Sequence, residues 1–330
     1  MKAIVVHSPG GPDALTWDDA PDPVCAPDEV IVKIAAAGVN RADVMQRMGH
    51  YPPPKGITDI IGLEVSGTIT EVGGEVTEWQ PGDEVCALLS GGGYAEQVNV
   101  PAVQLLPVPH GVSLIDAAGL TEVACTVWSN IWAPFSSSRL ADGETLLVHG
   151  GSSGIGTMAI QIAVAKGNPV IVTVGSDEKA EYCQRLGAKT INYRTEDFVE
   201  RARELTDGRG GDVILDNMGA KYLDRNIDAV APDGRIVTIG MQGGNTGELK
   251  IGKMLGKRVT YTATGLRGRP VHGPRGKGAV VAGVLEEVWP MVSSGEVKPI
   301  IDSTVPMQQA ASAHERIESS KHIGKILLTN

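Results

Sequence analysis

Residues 146–156 read Leu-Leu-Val-His-Gly-Gly-Ser-Ser-Gly-Ile-Gly: an apolar run, a glycine-rich turn, then a helix-like segment extending to about Gly167. Such a turn can seat a pyrophosphate, because glycines let the backbone approach the phosphates and the unbonded N–H groups of the helix start favour negative charge. Three chemistries could claim it. Gly151, Gly154 and Gly156 fit a dinucleotide fingerprint, Gly150, Gly154 and Gly156 fit the short-chain dehydrogenase version, and Gly150 to Gly154 fit a G-x-S-x-G nucleophile elbow with Ser152 at its tip. The elbow needs an acid and a histidine downstream. Asp216 with His272, His314 or His322 could serve, but nothing selects among them, and Gly156 is left without a purpose. The short-chain reading needs Tyr-x-x-x-Lys on a helix, and the match Tyr51 to Lys55 encloses Pro52, Pro53 and Pro54, which no helix interior tolerates. The dinucleotide reading survives, beside the plain alternative of a turn without a ligand.

The next apolar run, 170–174, ends in Gly175-Ser176-Asp177-Glu178-Lys179. An NAD enzyme usually carries an acid at the end of this strand to accept from the ribose hydroxyls. Here Val174 or Gly175 holds that place. The Ser176 hydroxyl and the Lys179 ammonium suit a 2′-phosphate, so the expected cofactor is NADP. Ser176 is equally fit to cap the following helix, with Asp177 and Glu178 favouring its dipole.

These groups need a scaffold, and the chain's texture changes along its length. Runs at 30–34, 66–72, 84–89 and 96–100, separated by proline- and glycine-rich turns, predict a mostly antiparallel β domain. Runs at 146–148, 170–174, 190–193, 213–215, 236–239 and 259–263, with helical spacers after the early ones, predict a parallel sheet covered on both faces. The fold class is therefore α/β, a doubly wound parallel sheet plus the β domain. The tail, with strand-like runs at 300–305 and 325–329 around a helix near 308–319, is expected to return to the first domain. The segment 267–278, rich in Arg, Gly and Pro, reads as a mobile surface loop.

At 330 residues the chain is long enough for two domains. A formal net charge of −10 argues against nucleic-acid binding. Cysteines at 25, 86, 125 and 183 form neither a C-x-x-C pair nor a zinc-finger spacing. No run reaches the ~18 apolar residues of a membrane span, and the apolar run at the start is too short for a signal peptide's h-region, so a cytoplasmic, membrane-free protein is expected.

The chain resembles the zinc-free quinone oxidoreductases, the zeta-crystallin-like group of the medium-chain dehydrogenase/reductase superfamily. The resemblance rests on Gly38-Val39-Asn40-Arg41-Ala42-Asp43, Gly62-Leu63-Glu64, Gly82-Asp83-Glu84-Val85, the turn His149 to Gly156, Leu186-Gly187-Ala188, Ile191-Asn192-Tyr193 and Ile323-Gly324-Lys325. It implies a GroES-like domain, 1–125 completed by about 297–330, a Rossmann domain, 126–296, and a homodimer or homotetramer. It also implies Asn40 and Tyr51 as catalytic residues. For the cofactor it implies Tyr51, Thr126, Ser152, Ser153, Gly154, Ile155, Gly156, Ser176, Lys179, Tyr193, Asn217, Gly240, Met241, Gly265 and Leu266. The superfamily's zinc enzymes carry a cysteine where this chain has Asn40 and a histidine where it has Leu63, and the structural zinc loop near 82–93 is missing, so no metal is expected. Without a Lewis acid, hydride is expected to go to acceptors that delocalise the resulting charge, quinones first and α,β-unsaturated carbonyls as the alternative. A non-catalytic NADPH-binding protein is the reading from another class.

Overall fold

The computed structural model describes residues 1–330, which form two units: Met1–Cys125 with Leu266–Gly295 and Pro299–Asn330, and Thr126–Gly265 with Glu296–Lys298. The sequence division assigned 126–296 to one domain. In the structure Leu266–Gly295 belongs to the first unit, which Trp289 illustrates by donating its indole N–H to Pro107 O at 2.8 Å.

The second unit is a six-stranded parallel sheet in the order Lys189–Asn192, Val170–Val174, Leu146–His149, Gly211–Asp216, Val230–Thr238, Thr260–Ala263. Strand side chains alternate faces, so the register Ile171↔Leu147↔Ile214↔Ile236 puts four large apolar residues in one row. Phe198, Tyr222 and Ile227 cover that row. Each such side chain contributes about 1.5–3 kcal/mol by leaving water. The first strand lies centrally, and the chain winds to one side of it and then to the other. The crevice at the carboxyl ends of Leu146–His149 and Gly211–Asp216 is therefore the topological switch point, the place where such sheets take ligands.

The first unit is a seven-stranded sheet built around Glu29–Val39, which pairs antiparallel with Glu64–Val72, Gln97–Pro101 and Lys325–Thr329. The tail thus returns to the first unit, Ile326 opposite Val39. Its only parallel pair joins Ile301–Pro306 to Lys325–Thr329. Val30, Val32, Ile34, Val65, Ile69 and Tyr94 lie in its core.

The surface loop expected at 267–278 is present as turns and bends with residues 272–275 exposed, but it is anchored at both ends. Arg267 and Lys277 are only 5% and 3% exposed, and Lys277 opens the helix Lys277–Glu287. Their long side chains reach inward to backbone oxygens, Arg267 Nε to Ser90 O at 2.7 Å and Lys277 Nζ to Arg269 O at 2.5 Å. The composition of the segment gave no sign of these anchors.

Candidate functional site

In the second unit Gly150 leaves its strand at φ +77°, a backbone conformation that favours glycine. Ser153 caps the helix Gly154–Ala165: its Oγ accepts from Gly156 N at 3.0 Å and donates to Gly150 O at 2.8 Å. A Cβ on Gly156 would collide with the carbonyl oxygens of Gly150 and Gly151, and one on Gly151 with Val172. The turn is consequently closed on its inner side by its own backbone. Its outer side presents the free N–H groups of a helix start, which attract an anion. Ser152 is buried in the turn, while Ile155 lies half-buried in the first helical turn.

Sequence reasoning did not find what stiffens this turn. His149 is buried edge-on against the stacked rings of Phe198 and Tyr222, whose centroids lie 4.9 and 4.8 Å away. Its Nε2 donates to Asn226 Oδ1 at 2.7 Å, so Nδ1 accepts from Thr173 Oγ1 at 3.1 Å. That hydroxyl accepts from Gly150 N at 3.3 Å. Burial holds the imidazole below its ordinary pKa, which keeps it neutral and able to accept. A histidine ending an apolar run was the available signal.

Asn217 follows the adjacent strand. Asp216 is buried and accepts from Met218 N at 2.8 Å, Gly219 N at 3.0 Å and Thr238 Oγ1 at 3.1 Å, fixing the bend that carries Asn217. A Cβ on Gly150 would meet Asn217 Nδ2 at 2.9 Å, and one on Gly240 would meet Asn217 O at 2.9 Å, so Asn217 lies close to both glycines. Met241, next to Gly240, is largely exposed. The buried Asn217 Oδ1 has no hydrogen-bond partner. A buried acceptor left unpaired costs about 1–3 kcal/mol, which a donor on a bound group would recover.

At the edge of the same crevice Ser176 caps the helix Asp177–Arg185, its Oγ accepting from Lys179 N at 3.4 Å. The Tyr193 hydroxyl faces Gly175 so closely that a Cβ there would lie 2.5 Å away. Asp177, an acid of the first helical turn that could disfavour a phosphate, accepts from Asn192 Nδ2 at 2.9 Å. Elsewhere in this unit Asn130 Nδ2 donates to Thr126 O at 2.8 Å and Asn130 Oδ1 accepts from Thr264 Oγ1 at 2.6 Å, tying Thr126 to the residue before Gly265. Gly265 is exposed. Leu266, half-buried, belongs to the first unit.

In the first unit Asn40 precedes the helix Arg41–Arg47, and its N–H donates to Asp43 Oδ2 at 2.7 Å. Its amide group is committed to the interior. Nδ2 donates to Glu64 Oε1 at 3.0 Å and Gly38 O at 3.3 Å, and Oδ1 accepts from Lys325 Nζ at 2.6 Å. Lys325 also pairs with Glu64 at 2.7 Å, both side chains being buried. Tyr51 sits elsewhere in the unit. Its hydroxyl makes no hydrogen bond within the protein, its ring lies under the Arg267 guanidinium at 5.2 Å, and burial raises its pKa. Asn40 and Tyr51 are thus not joined directly; Arg267 links Tyr51 O to Gln46 Oε1 on the helix that follows Asn40.

Two domain families match the chain: the alcohol dehydrogenase GroES-like domain over residues 26–110 and the zinc-binding dehydrogenase domain over 154–272. A quinone oxidoreductase of Pseudomonas aeruginosa is 31% identical, with 99% of each chain covered. The chain belongs to the medium-chain dehydrogenase/reductase superfamily. A 2-haloacrylate reductase of a Burkholderia species is also 31% identical, over 99% of this chain and 98% of that one. The Escherichia coli quinone oxidoreductase, solved in complex with NADPH, aligns over the whole of both chains with a TM-score of 0.89 and 28% identity.

Membership in the medium-chain dehydrogenase/reductase superfamily raises two groups, a nicotinamide dinucleotide and zinc. The residues fit the first: the closed glycine turn and the helix start suit an anionic group, and the unpaired Asn217 Oδ1 suits a hydrogen-bond donor such as a ribose hydroxyl. They do not fit the second. Leu63 has no donor atom, Asn40 Oδ1 already holds Lys325, and no three His, Cys, Asp or Glu side chains cluster where they could hold a metal.

Proposed function

We propose that this protein is an NADPH-dependent, zinc-independent reductase that transfers hydride to quinones. The observation that carries the reading is the commitment of Asn40 to the buried Glu64–Lys325 pair beside an apolar Leu63, combined with a dinucleotide turn that is intact. NADPH, when bound, supplies the hydride. The protein's own residues bind and orient. The helix start at Ser153, Gly154, Ile155 and Gly156 would hold the pyrophosphate, with Ser152 in the same turn. Ser176, Lys179 and Tyr193 would surround the 2′-phosphate. Asn217, Gly240 and Met241 would line the ribose side, and Thr126, Gly265 and Leu266 the nicotinamide side. Tyr51 offers a hydroxyl that makes no hydrogen bond within the protein to the acceptor, and Asn40 is a positioning residue. With no metal to stabilise an alkoxide, acceptors that spread the incoming charge are favoured.

A reductase of α,β-unsaturated carbonyls is the second reading. It is favoured by the likeness to the 2-haloacrylate reductase, which covers both chains almost completely. The protein is further proposed to act as a homodimer or homotetramer. The outer edge of Thr260–Ala263 is unpaired, and the helix Ile251–Lys257 buries none of its residues and leaves Ile251 64% and Leu255 73% exposed.

NADPH oxidation over a panel of quinones, conjugated enals and saturated ketones, with metal analysis of the same preparation, tests the reading. Quinone turnover, inert saturated ketones and no stoichiometric zinc are expected. Turnover confined to enals selects the second reading. Cofactor binding with no turnover over the whole panel would leave only a binding protein.

A further inference from the structure

Arg267 is a buried cation without a counter-ion. Its Nε donates to Ser90 O at 2.7 Å, Nη2 to Gln46 Oε1 at 2.7 Å and Nη1 to Tyr51 O at 3.3 Å. All three acceptors are neutral, and they use three of the five guanidinium N–H bonds. The side chain is 5% exposed, it forms no ion pair, and its plane covers the Tyr51 ring at 5.2 Å. An interior guanidinium is expensive unless something compensates it. Three neutral acceptors and a ring face compensate only in part.

The position of the charge suggests what else it does. The groups that act on it electrostatically are Tyr51 and Asp43, while Lys277 lies near enough to feel it. The Tyr51 phenol faces Arg267 and, on the other side of the balance, Glu122. Building on the reading of Tyr51 as the hydroxyl that meets the acceptor, we propose that Arg267 is a positioning residue for the reduction: its fork fixes the tyrosine loop, and its uncompensated charge assists the phenol in donating to the oxyanion that forms. In that step the hydride that bound NADPH would supply carries both electrons, which would leave NADP⁺. The acceptor's carbonyl π pair moves onto oxygen, directly or through the conjugated bond. Tyr51 donates a hydrogen bond to that oxygen, and a proton from water completes the reduced product.

The test uses R267Q and R267K, each made in the wild type and in Y51F. Phenol ionisation is followed by ultraviolet difference titration of each protein against its Y51F counterpart. Removing a cation from beside a phenol disfavours the phenolate, so R267Q should raise the Tyr51 midpoint by about one pH unit, and R267K by less. On an enal, R267Q should lower kcat about tenfold with KM changed less than about threefold, and in Y51F the same substitution should change kcat less than about twofold, because the two residues act as one device. An unmoved or lowered midpoint, or an equal loss of kcat with and without the tyrosine hydroxyl, overturns the proposal and leaves Arg267 a packing staple. Should R267Q fail to fold, R267K decides alone: loss of the fork should lower kcat several-fold in the wild type and not in Y51F, and kcat equal to wild type overturns it. If the wild type reduces none of the acceptors, the proposed function fails, while the phenol titration still decides whether Arg267 acts on Tyr51.

Discussion

Lys325, from the last strand of the chain, donates to Asn40 Oδ1 at 2.6 Å and so joins the chain's end to the start of the helix Arg41–Arg47. The same ammonium neutralises Glu64, which is fully buried. Removing one partner of a buried pair leaves a charge in the interior. K325M is therefore expected to lose about 3–5 kcal/mol in urea unfolding. Adding E64Q should recover part of that loss, because both charges are then gone. A K325M protein within about 1 kcal/mol of wild type would show that the pair is unimportant to the fold.

The glycine turn makes a contrast between two alanines. G156A pushes a methyl group into the Gly150 and Gly151 carbonyls and must open the turn. NADPH affinity, followed by fluorescence titration, should fall at least about tenfold, the loss of one charge-assisted hydrogen bond or more. Gly252, in the helix Ile251–Lys257, has nothing within 4 Å of its would-be Cβ. G252A should leave affinity unchanged and add up to about 0.5–1 kcal/mol of stability. Equal cofactor affinity in G156A and wild type would show that the turn does not hold the pyrophosphate.

How far these features can be read in advance depends on how local their causes are. The strand Val170–Val174 is legible residue for residue, because five β-branched residues end at a glycine and a capping serine. Glu29–Val39 is longer than its apolar run suggests, since Ala36, Ala37 and Gly38 carry little strand preference and are held by pairing with Lys325–Thr329 and, for Ala36 and Ala37, with Glu64–Val72. The serine, glycine and asparagine positions of the cofactor crevice follow from a spacing pattern. Arg267 does not, because its acceptors Ser90 and Gln46 lie 177 and 221 residues away and its own neighbourhood has the composition of a surface loop. Asn40 is a second case of distant causes. The resemblance implied a catalytic role for it, while the partners that hold its amide come from positions 24 and 285 residues distant.

A buried histidine sets an acid limit. His314 Nδ1 lies 3.3 Å from Arg47 Nη1, which can only donate, so Nε2 carries the proton and donates to Tyr94 Oη at 3.2 Å, whose hydroxyl in turn donates to Asp43 Oδ2 at 3.2 Å. Burial first, and the Arg47 charge second, push the His314 pKa down to about 3 from 6.5. As pH falls below 6.5 the unfolded chain takes up a proton that the folded one refuses, so stability declines down to about 3. Burial raises Asp43 to about 7 from 3.8, so between those values the folded state holds the extra proton and stability from this group declines as pH rises. The two slopes oppose one another. H314Q should remove only the first, making the protein lose less stability than wild type between pH 6 and pH 4 by up to about 1.4 kcal/mol per unit. Parallel pH profiles of the unfolding midpoint for the two proteins would contradict this.

The choice between NADPH and NADH rests on the edge of the crevice. Val174 ends its strand without an acid, Ser176 and Lys179 follow at the helix start, Tyr193 closes over Gly175, and Asp177 is engaged by Asn192. A 2′-phosphate adds close to two negative charges here. An ammonium at Lys179 has something to neutralise with NADPH and nothing with NADH, so its removal should act on one cofactor alone. K179A is expected to weaken NADPH by about 1–3 kcal/mol, roughly five- to a hundred-fold in Kd, with NADH binding unchanged. High salt should compress the difference between the cofactors, because this edge is partly open to solvent and its charges are screened. Asn192→Ala releases Asp177 from its amide, and a freed carboxylate near the phosphate should cost NADPH affinity in the same direction by a smaller amount. Equal weakening of both cofactors in K179A would mean that the lysine supports the helix rather than the phosphate, and equal affinity of the wild type for NADH and NADPH would remove the basis of the cofactor assignment.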